Sequence, residues 1–398
     1  MVSRVEVKAA PPIPLIRRFA GIALGVLGWV GFLALSYSPA LAELFAGTGP
    51  IPELRRGLSL LSGIIAFSLA ELFVAAVLVR QLVGGAKGLR RLLSGEIGFA
   101  RSVGAGTLRL AQDAGIVLFL FYLLWGAQYA RPGLEARLEI ETAGEVSSAE
   151  LHRLALRAVE TSNLLYREIH GSEDAGEPTS AQPISSASRA LDEAWARVQQ
   201  EFRFHPLVAK DFGAPKAFLA SRMVKPFGIA GMHFPFTGEA LVLGDLPAVI
   251  QGIDLGHEMA HQRGFAREDE ANVLGFLVAR ASDDPVARYG AYVFLQRQLL
   301  SALQSVSPSE ARELARSRDP GVTRDLEDLR AYWEPTQGVA RAAATRANDV
   351  MLRSHGIPEG VSSYQGSVWV LIALARARGE EVLFPPPPAP AVSQAPKI

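Results

Sequence analysis

The run Gly256–Phe276 reads GHEMAHQRGFAREDEANVLGF, and it holds the densest chemistry in the chain. At its centre is HEMAH: His257 and His261 stand four residues apart, with Glu258 directly after the first histidine. On an α-helix residues i and i+4 share a face about one turn apart, so both imidazoles reach one metal ion. Zn2+ is the natural occupant of such a pair. Glu258 then sits where its carboxylate takes a proton from a water activated by the metal, making it the expected general base.

The flanks agree with a helix, a turn and a second helix. Leu246, Val249, Ile250, Ile253 and Leu255 approach the motif with helical spacing, Gly264 offers a stop, and a second helical run spans about Glu268 to Arg280. A catalytic zinc takes three protein ligands, so the third is sought among Glu268, Asp269 and Glu270. Glu270 lies three, four and seven residues before Val273, Leu274 and Leu277, an apolar stripe expected to face inward, and is the preferred ligand. Glu268 is its runner-up. Glu268 and Asp269 otherwise suit the positive N-terminal end of the second helix or solvent.

HEMAHQRGFAREDEAN resembles the signature of the bacterial domain of unknown function 3810 family, membrane proteins placed with the HExxH zinc peptidases of the gluzincin type. Three further stretches fit the same family: WGAQYARPGL (Trp125–Leu134), GIAGMHFPFTGEALV (Gly228–Val242) and NDVMLRSHGIPEGVSSYQGSVWVL (Asn348–Leu371). The resemblance implies a metallopeptidase-like domain with a small sheet beside the HExxH helix, whose edge strand pairs with an extended peptide; GMHFPFTGEALV is expected to supply that edge. The order EDEAN is similar to that of short gluzincins, in which the glutamate before Ala-Asn binds the metal, and this too points to Glu270. His233 stands where the family is expected to carry a tyrosine, so no substrate-binding role is carried over to it.

Composition bounds the remainder. The chain has 398 residues, 49% of them hydrophobic, with a positive mean hydropathy. Forty basic residues balance forty acidic ones, so no global field argues for nucleic acid. Cysteine is absent, which excludes disulfides, thiolate ligands and a cysteine nucleophile. Any metal must therefore use His and carboxylate.

Three apolar runs read as membrane spans, at about 19–37, 57–79 and 114–130, the second interrupted by Glu71. Tyr122, Trp125 and Tyr129 end the third and suit a membrane interface. Arg4, Lys8, Arg17 and Arg18 precede the first span, and Arg80, Lys87, Arg90, Arg91, Arg101 and Arg109 lie between the second and third. By the positive-inside rule the N-terminus and this basic stretch are cytoplasmic, and the part after the third span is extracytoplasmic. The localisation expected is the cytoplasmic membrane of a bacterium, with the lipid bilayer as a partner and no nucleic acid.

Residues 1–134 then form the membrane region, 135–383 an extracytoplasmic domain and 384–398 a Pro/Ala-rich disordered tail. In the domain, helices are expected over about 147–169, 187–202, 288–306, 339–353 and 367–377, with strands at about 217–223, 228–234 and 239–243. A peptidase also needs a donor for the oxyanion that develops during attack on an amide. Tyr364, His355 and His233 are candidates, and Tyr364 is preferred because it lies in a stretch that fits the family.

The fold expected is thus a three-span membrane segment plus a mainly α, α+β gluzincin-like metallopeptidase domain. Its expected function is zinc-dependent hydrolysis of a peptide or protein substrate in the cell envelope. The alternatives are a scaffold that keeps zinc as a structural staple and a cell-wall amidase using the same metal chemistry.

Overall fold

A computed structural model describes residues 15–385; residues 1–14 and 386–398 lie outside the described residues, and with them Arg4, Lys8 and most of the expected tail. Phe384, counted with that tail, is buried and stacks on Tyr292, so the folded domain runs at least that far.

Three helices are long and apolar enough to cross a membrane: α1 (Leu15–Ser36), α4 (Leu69–Leu93) and α5 (Phe99–Leu124). α1 and α5 run parallel, because Gly21, Gly25 and Gly28 of α1 meet Gln112, Gly115 and Phe119 of α5 in the same order. A Cβ on Gly25 would come within 2.8 Å of the Gly115 Cα, the close backbone approach that small residues permit between membrane helices. The start of α1 and the tight α4–α5 turn therefore lie at one end, the domain at the other.

The second span is displaced from its expected position. Residues 57–79 do not form one helix: α2 (Pro39–Ala42) and α3 (Pro50–Gly63) fill the connection after α1, the chain breaks over residues 64–68, and the apolar helix starts at Leu69. Ser68 caps it by accepting from the Glu71 backbone N–H at 3.2 Å. Glu71 thus belongs to a first turn and not to mid-bilayer, where a lone carboxylate would be costly. The third span also shifts, beginning at Phe99 and ending at Leu124 before a 3-10 turn over Gly126–Ala130. Hence Arg101 and Arg109 are helical rather than in a loop. α3 packs on the domain, where Gln262 Nε2 donates to Ser59 Oγ at 3.0 Å.

Beyond the membrane helices come α6 (Leu134–Leu138), α7 (Ser148–His170) and α8 (Ile184–Phe202). Ser147 caps α7 by accepting from the Glu150 N–H at 3.2 Å, as its sequence position suggests. A small three-stranded sheet follows, in order β1-β3-β2: β1 (Lys216–Ala217) is parallel to β3 (Glu239–Val242), and β2 (Gly231–Phe234) is antiparallel to it. The strand expected over 217–223 is cut short. After Ala217 the chain coils into α9 (Ser221–Val224) and a 3-10 turn (Lys225–Phe227) that contains Pro226 and that the left-handed Gly228 (φ +72°) terminates.

The remaining helices are α10 (Ala248–Gln262), α11 (Glu268–Ala281), α12 (Pro285–Val306), α13 (Pro308–Arg316), α14 (Pro320–Trp333), α15 (Val339–Ser354) and α16 (Ser367–Arg378). The principal core gathers Leu255, Met259, Phe276 and Tyr289 with Tyr166 and Trp195 of α7 and α8. α10 and α11 cross inside it, so the histidine motif is carried by a largely buried pair.

Candidate metal centre

The crossing of α10 and α11 is governed by glycine. A Cβ on Gly256 would lie 3.0 Å from the Gly275 Cα, and one on Gly275 would lie 2.9 Å from the Ile253 carbonyl, so the helices touch backbone to backbone beside His257. Gly264, at φ +93°, ends the α10 segment and lets the chain fold back within a few residues. Residues of α11 at three and seven positions before Gly275, Asn272 and Glu268, then face α10.

That geometry assembles a ligand set. Glu268 Oε2 lies 3.2 Å from His257 Nε2 and 3.6 Å from His261 Nε2, and one ligand atom from each of the three residues lies within 4.8 Å of the others. Each imidazole is oriented through its other nitrogen. His257 Nδ1 donates to Asn272 Oδ1 at 2.9 Å, while Asn272 Nδ2 donates to the Tyr364 carbonyl at 3.1 Å and so fixes the amide's direction. His261 Nδ1 donates to the Phe265 carbonyl at 2.7 Å. Both Nε2 atoms are left to bind, the arrangement that metal-ligating histidines generally show.

Glu270 does not join them, against the sequence expectation. Its Oε2 accepts from Arg137 Nη2 at 2.5 Å, with Glu270 buried and Arg137 partly so. The reason is rotational: two residues on a helix are about 200° apart, so once Glu268 and Asn272 face the histidines, Glu270 turns away. The apolar stripe Val273–Leu274–Leu277 faces the core rather than the histidines. The glycine pair was the signal in the sequence that could have identified the right face.

Around the three residues is a cavity of about 570 Å³ lined by α10, β2, α15 and the turn after α5. Glu258 is buried within it, Oε2 has no hydrogen-bond partner, and burial, reinforced by Glu268 and Asp254 against the opposing pull of His257, raises its pKa to about 8. For Glu268 burial pulls upward too, but the two histidines beside it hold the carboxyl well below its usual range. Asp254, one turn before His257, also lines the cavity with an unpartnered Oδ2, its pKa pushed to about 7 by burial.

Of the candidate oxyanion donors, two reach this cavity. Tyr364 has its ring parallel to that of His257, 6.4 Å away, and its hydroxyl accepts from Asn348 Nδ2 at 3.1 Å; burial and the nearby Glu268 keep that phenol protonated. His233, on β2, has Nδ1 at 3.2 Å from the Glu239 carbonyl and Nε2 buried without a partner. Burial, together with His261 nearby, pushes its pKa well below the usual value, so it is neutral. His355 sits elsewhere, within an aromatic cluster of Phe32, Phe121, Tyr122 and Tyr129 at 5.2–5.7 Å, and packs rather than lining the cavity.

Sequence reasoning also passed over Asn272, Asp254 and Gly231. Trp125, read as an interface aromatic, has its ring edge-on to His261 at 5.3 Å and forms part of the cavity wall.

A family model described as "Protein of unknown function (DUF3810)" matches residues 49–372. The chain belongs to the DUF3810 family. The matched span takes in α4, α5, the sheet and His257, Glu258, His261 and Glu268. No curated protein and no solved structure matches the chain. The DUF3810 description assigns no activity, so chemistry must be argued from the cavity itself.

Proposed function

We propose that this DUF3810 member is a membrane-bound zinc-dependent metallopeptidase whose ligands are His257, His261 and Glu268, with Glu258 as general base. The observation that carries this reading is the convergence of two oriented Nε2 atoms on Glu268 Oε2, a buried carboxylate oxygen with no hydrogen-bond partner of its own. Two neutral imidazoles and one carboxylate are the donor set of known zinc hydrolases. A zinc ion held there would supply a Lewis acid that acidifies water and polarises a carbonyl.

The chain's own residues account for the rest. Glu258, unpartnered and in the cavity, would be favoured in its ionised form by a zinc ion's charge against the burial that raises its pKa, and in that form it accepts a proton from the attacking water and passes it to the leaving amine. Tyr364, protonated and beside Glu268, donates to the oxyanion, whereas the neutral His233 gives its one N–H to the Glu239 carbonyl and leaves Nε2 as an acceptor. β2 is a sheet edge that lines the cavity, so its free backbone groups hold an extended peptide across the site. This use of β2 favours a peptide bond over the amide of a non-peptide polymer.

Elemental analysis of the full-length protein in detergent tests the reading. About one zinc per chain is expected in wild type and in Glu270→Ala, and little in His261→Ala or Glu268→Ala. Glu258→Gln should keep its zinc yet lose about 10²–10⁴-fold in turnover of a peptide library. Zinc retained in Glu268→Ala would refute the ligand set, full turnover in Glu258→Gln would remove Glu258 as the base, and zinc without turnover in wild type would leave zinc as a staple only.

A further inference from the structure

The domain face beside the start of α4 carries an apolar stripe that runs up to the cavity. Leu219, Met223 and Phe227 recur every fourth residue through the turn before α9, α9 itself and the 3-10 turn after it, and they are 60%, 74% and 45% exposed. Ile64 and Phe67, in the break just before α4, are 77% and 46% exposed. Arg222 is exposed within the stripe.

The stripe is tied directly to a membrane helix. Glu71, in the first turn of α4, accepts from the backbone N–H groups of Leu219 and Ala220 at 2.7 and 2.8 Å. Phe73, half a turn further, packs on Phe234 and Phe236 of the β2–β3 hairpin at 5.7 and 5.5 Å. Lys216, three residues before Leu219, donates to the Phe67 carbonyl at 3.2 Å. The stripe is therefore held level with the point where the lipid-facing surface of α4 begins.

We propose that Leu219–Phe227 is an interfacial anchor that rests in the headgroup and upper acyl region of the bilayer. Its occupant is lipid, because the apolar surface is continuous with that of a membrane-spanning helix. Apolar side chains at a helix-spaced interval with a cation between them are the pattern of a monotopic contact, and Arg222 suits anionic headgroups. Phe227 closes the stripe and, with Gly228 and Met232, also lines the cavity. The cavity mouth along β2 is thereby pressed against the bilayer surface. Resting on the peptidase reading, this names the substrate class: a polypeptide tethered to the same membrane, delivered along the surface to the sheet edge.

The chain lacks cysteine, so single cysteines report without background. Full-length protein carrying Met223→Cys, and separately Leu219→Cys, is spin-labelled and reconstituted into phosphatidylcholine–phosphatidylglycerol vesicles. References are Leu78→Cys, on the exposed side of α4, and Leu164→Cys, exposed on α7, whose partners are α12, α13 and α14. Both stripe labels should favour oxygen over a water-soluble nickel chelate, lying between the two references. Accessibility equal to that at Leu164 would overturn both the anchor and surface delivery. The zinc measurement is untouched by either result, so the two readings fail separately.

Discussion

Gly231 shows how finely one residue can matter to the site. A Cβ there would come within 2.6 Å of Glu258 Oε1 and 2.7 Å of its Cγ, so β2 reaches Glu258, the proposed base, only because position 231 has no side chain. Gly231→Ala must push Glu258 aside while leaving His257, His261 and Glu268 where they are. We expect normal zinc content with turnover lowered on the order of 10²-fold, as befits a misplaced catalytic group, measured by metal analysis beside a peptide assay. Loss of zinc in this variant would show that the strand supports the ligands and not the base. The same scale explains the exchange of Glu270 for Glu268. Both glutamates are buried, but one meets a guanidinium and the other two imidazoles, and two residues of helix separate those fates.

Among the elements, the pairing of α1 with α5 rests on absent side chains. A Cβ on Gly115 would lie 2.2 Å from the Gly21 carbonyl, backbone that cannot step aside without separating the helices. Gly115→Leu should destabilise the protein by about 1–3 kcal/mol, the ordinary cost of overpacking, read as a lowered midpoint in detergent unfolding. An unchanged midpoint would mean that α1 is held by something other than this contact. The consequence extends beyond the membrane, since Phe32 near the end of α1 stacks on Tyr122 at 5.2 Å and both enclose His355 at the end of α15. α15 forms one wall of the cavity, so the membrane helices and that wall share a packing cluster.

Taken whole, the molecule joins its sheet to the start of α4 in part through a buried carboxylate. Glu239 on β3 accepts from Lys216 Nζ at 2.6 Å and from the backbone N–H groups of Leu69 and Ala70 at 3.0 and 2.7 Å, serving as a distant cap for α4. Burial raises its pKa, but Lys216, these N–H groups and Thr237 outweigh burial and leave it below the ordinary carboxylate value of 4.5. A depressed folded-state pKa gives stability that is complete above that value and is lost as pH falls through the lower one. Acid should therefore loosen the joint below about pH 4.5, and Glu239→Gln should be less stable at neutral pH with a flatter acid limb, followed by tryptophan fluorescence. A wild-type acid limb in that variant would remove Glu239 from the account.

Much of this protein was legible from its residues because local rules suffice for it. HEMAH predicts one histidine face on α10, Gly264 predicts its end, Ser147 predicts a cap, and apolar runs predict three membrane helices and their shared basic end. Membership of the DUF3810 family was also carried by short motifs. What the sequence left open depends on how elements meet. Which glutamate faces the histidines follows from the rotation of α11, set by the Gly256–Gly275 contact; where α4 begins follows from the local Ser68 cap together with Glu71 and Glu239, whose partners lie far away in the chain. Asp254, Asn272 and Trp125 acquire roles only when helices from separate regions enclose one cavity. Periodicity reports the face a helix buries; only tertiary packing decides what that face is buried against.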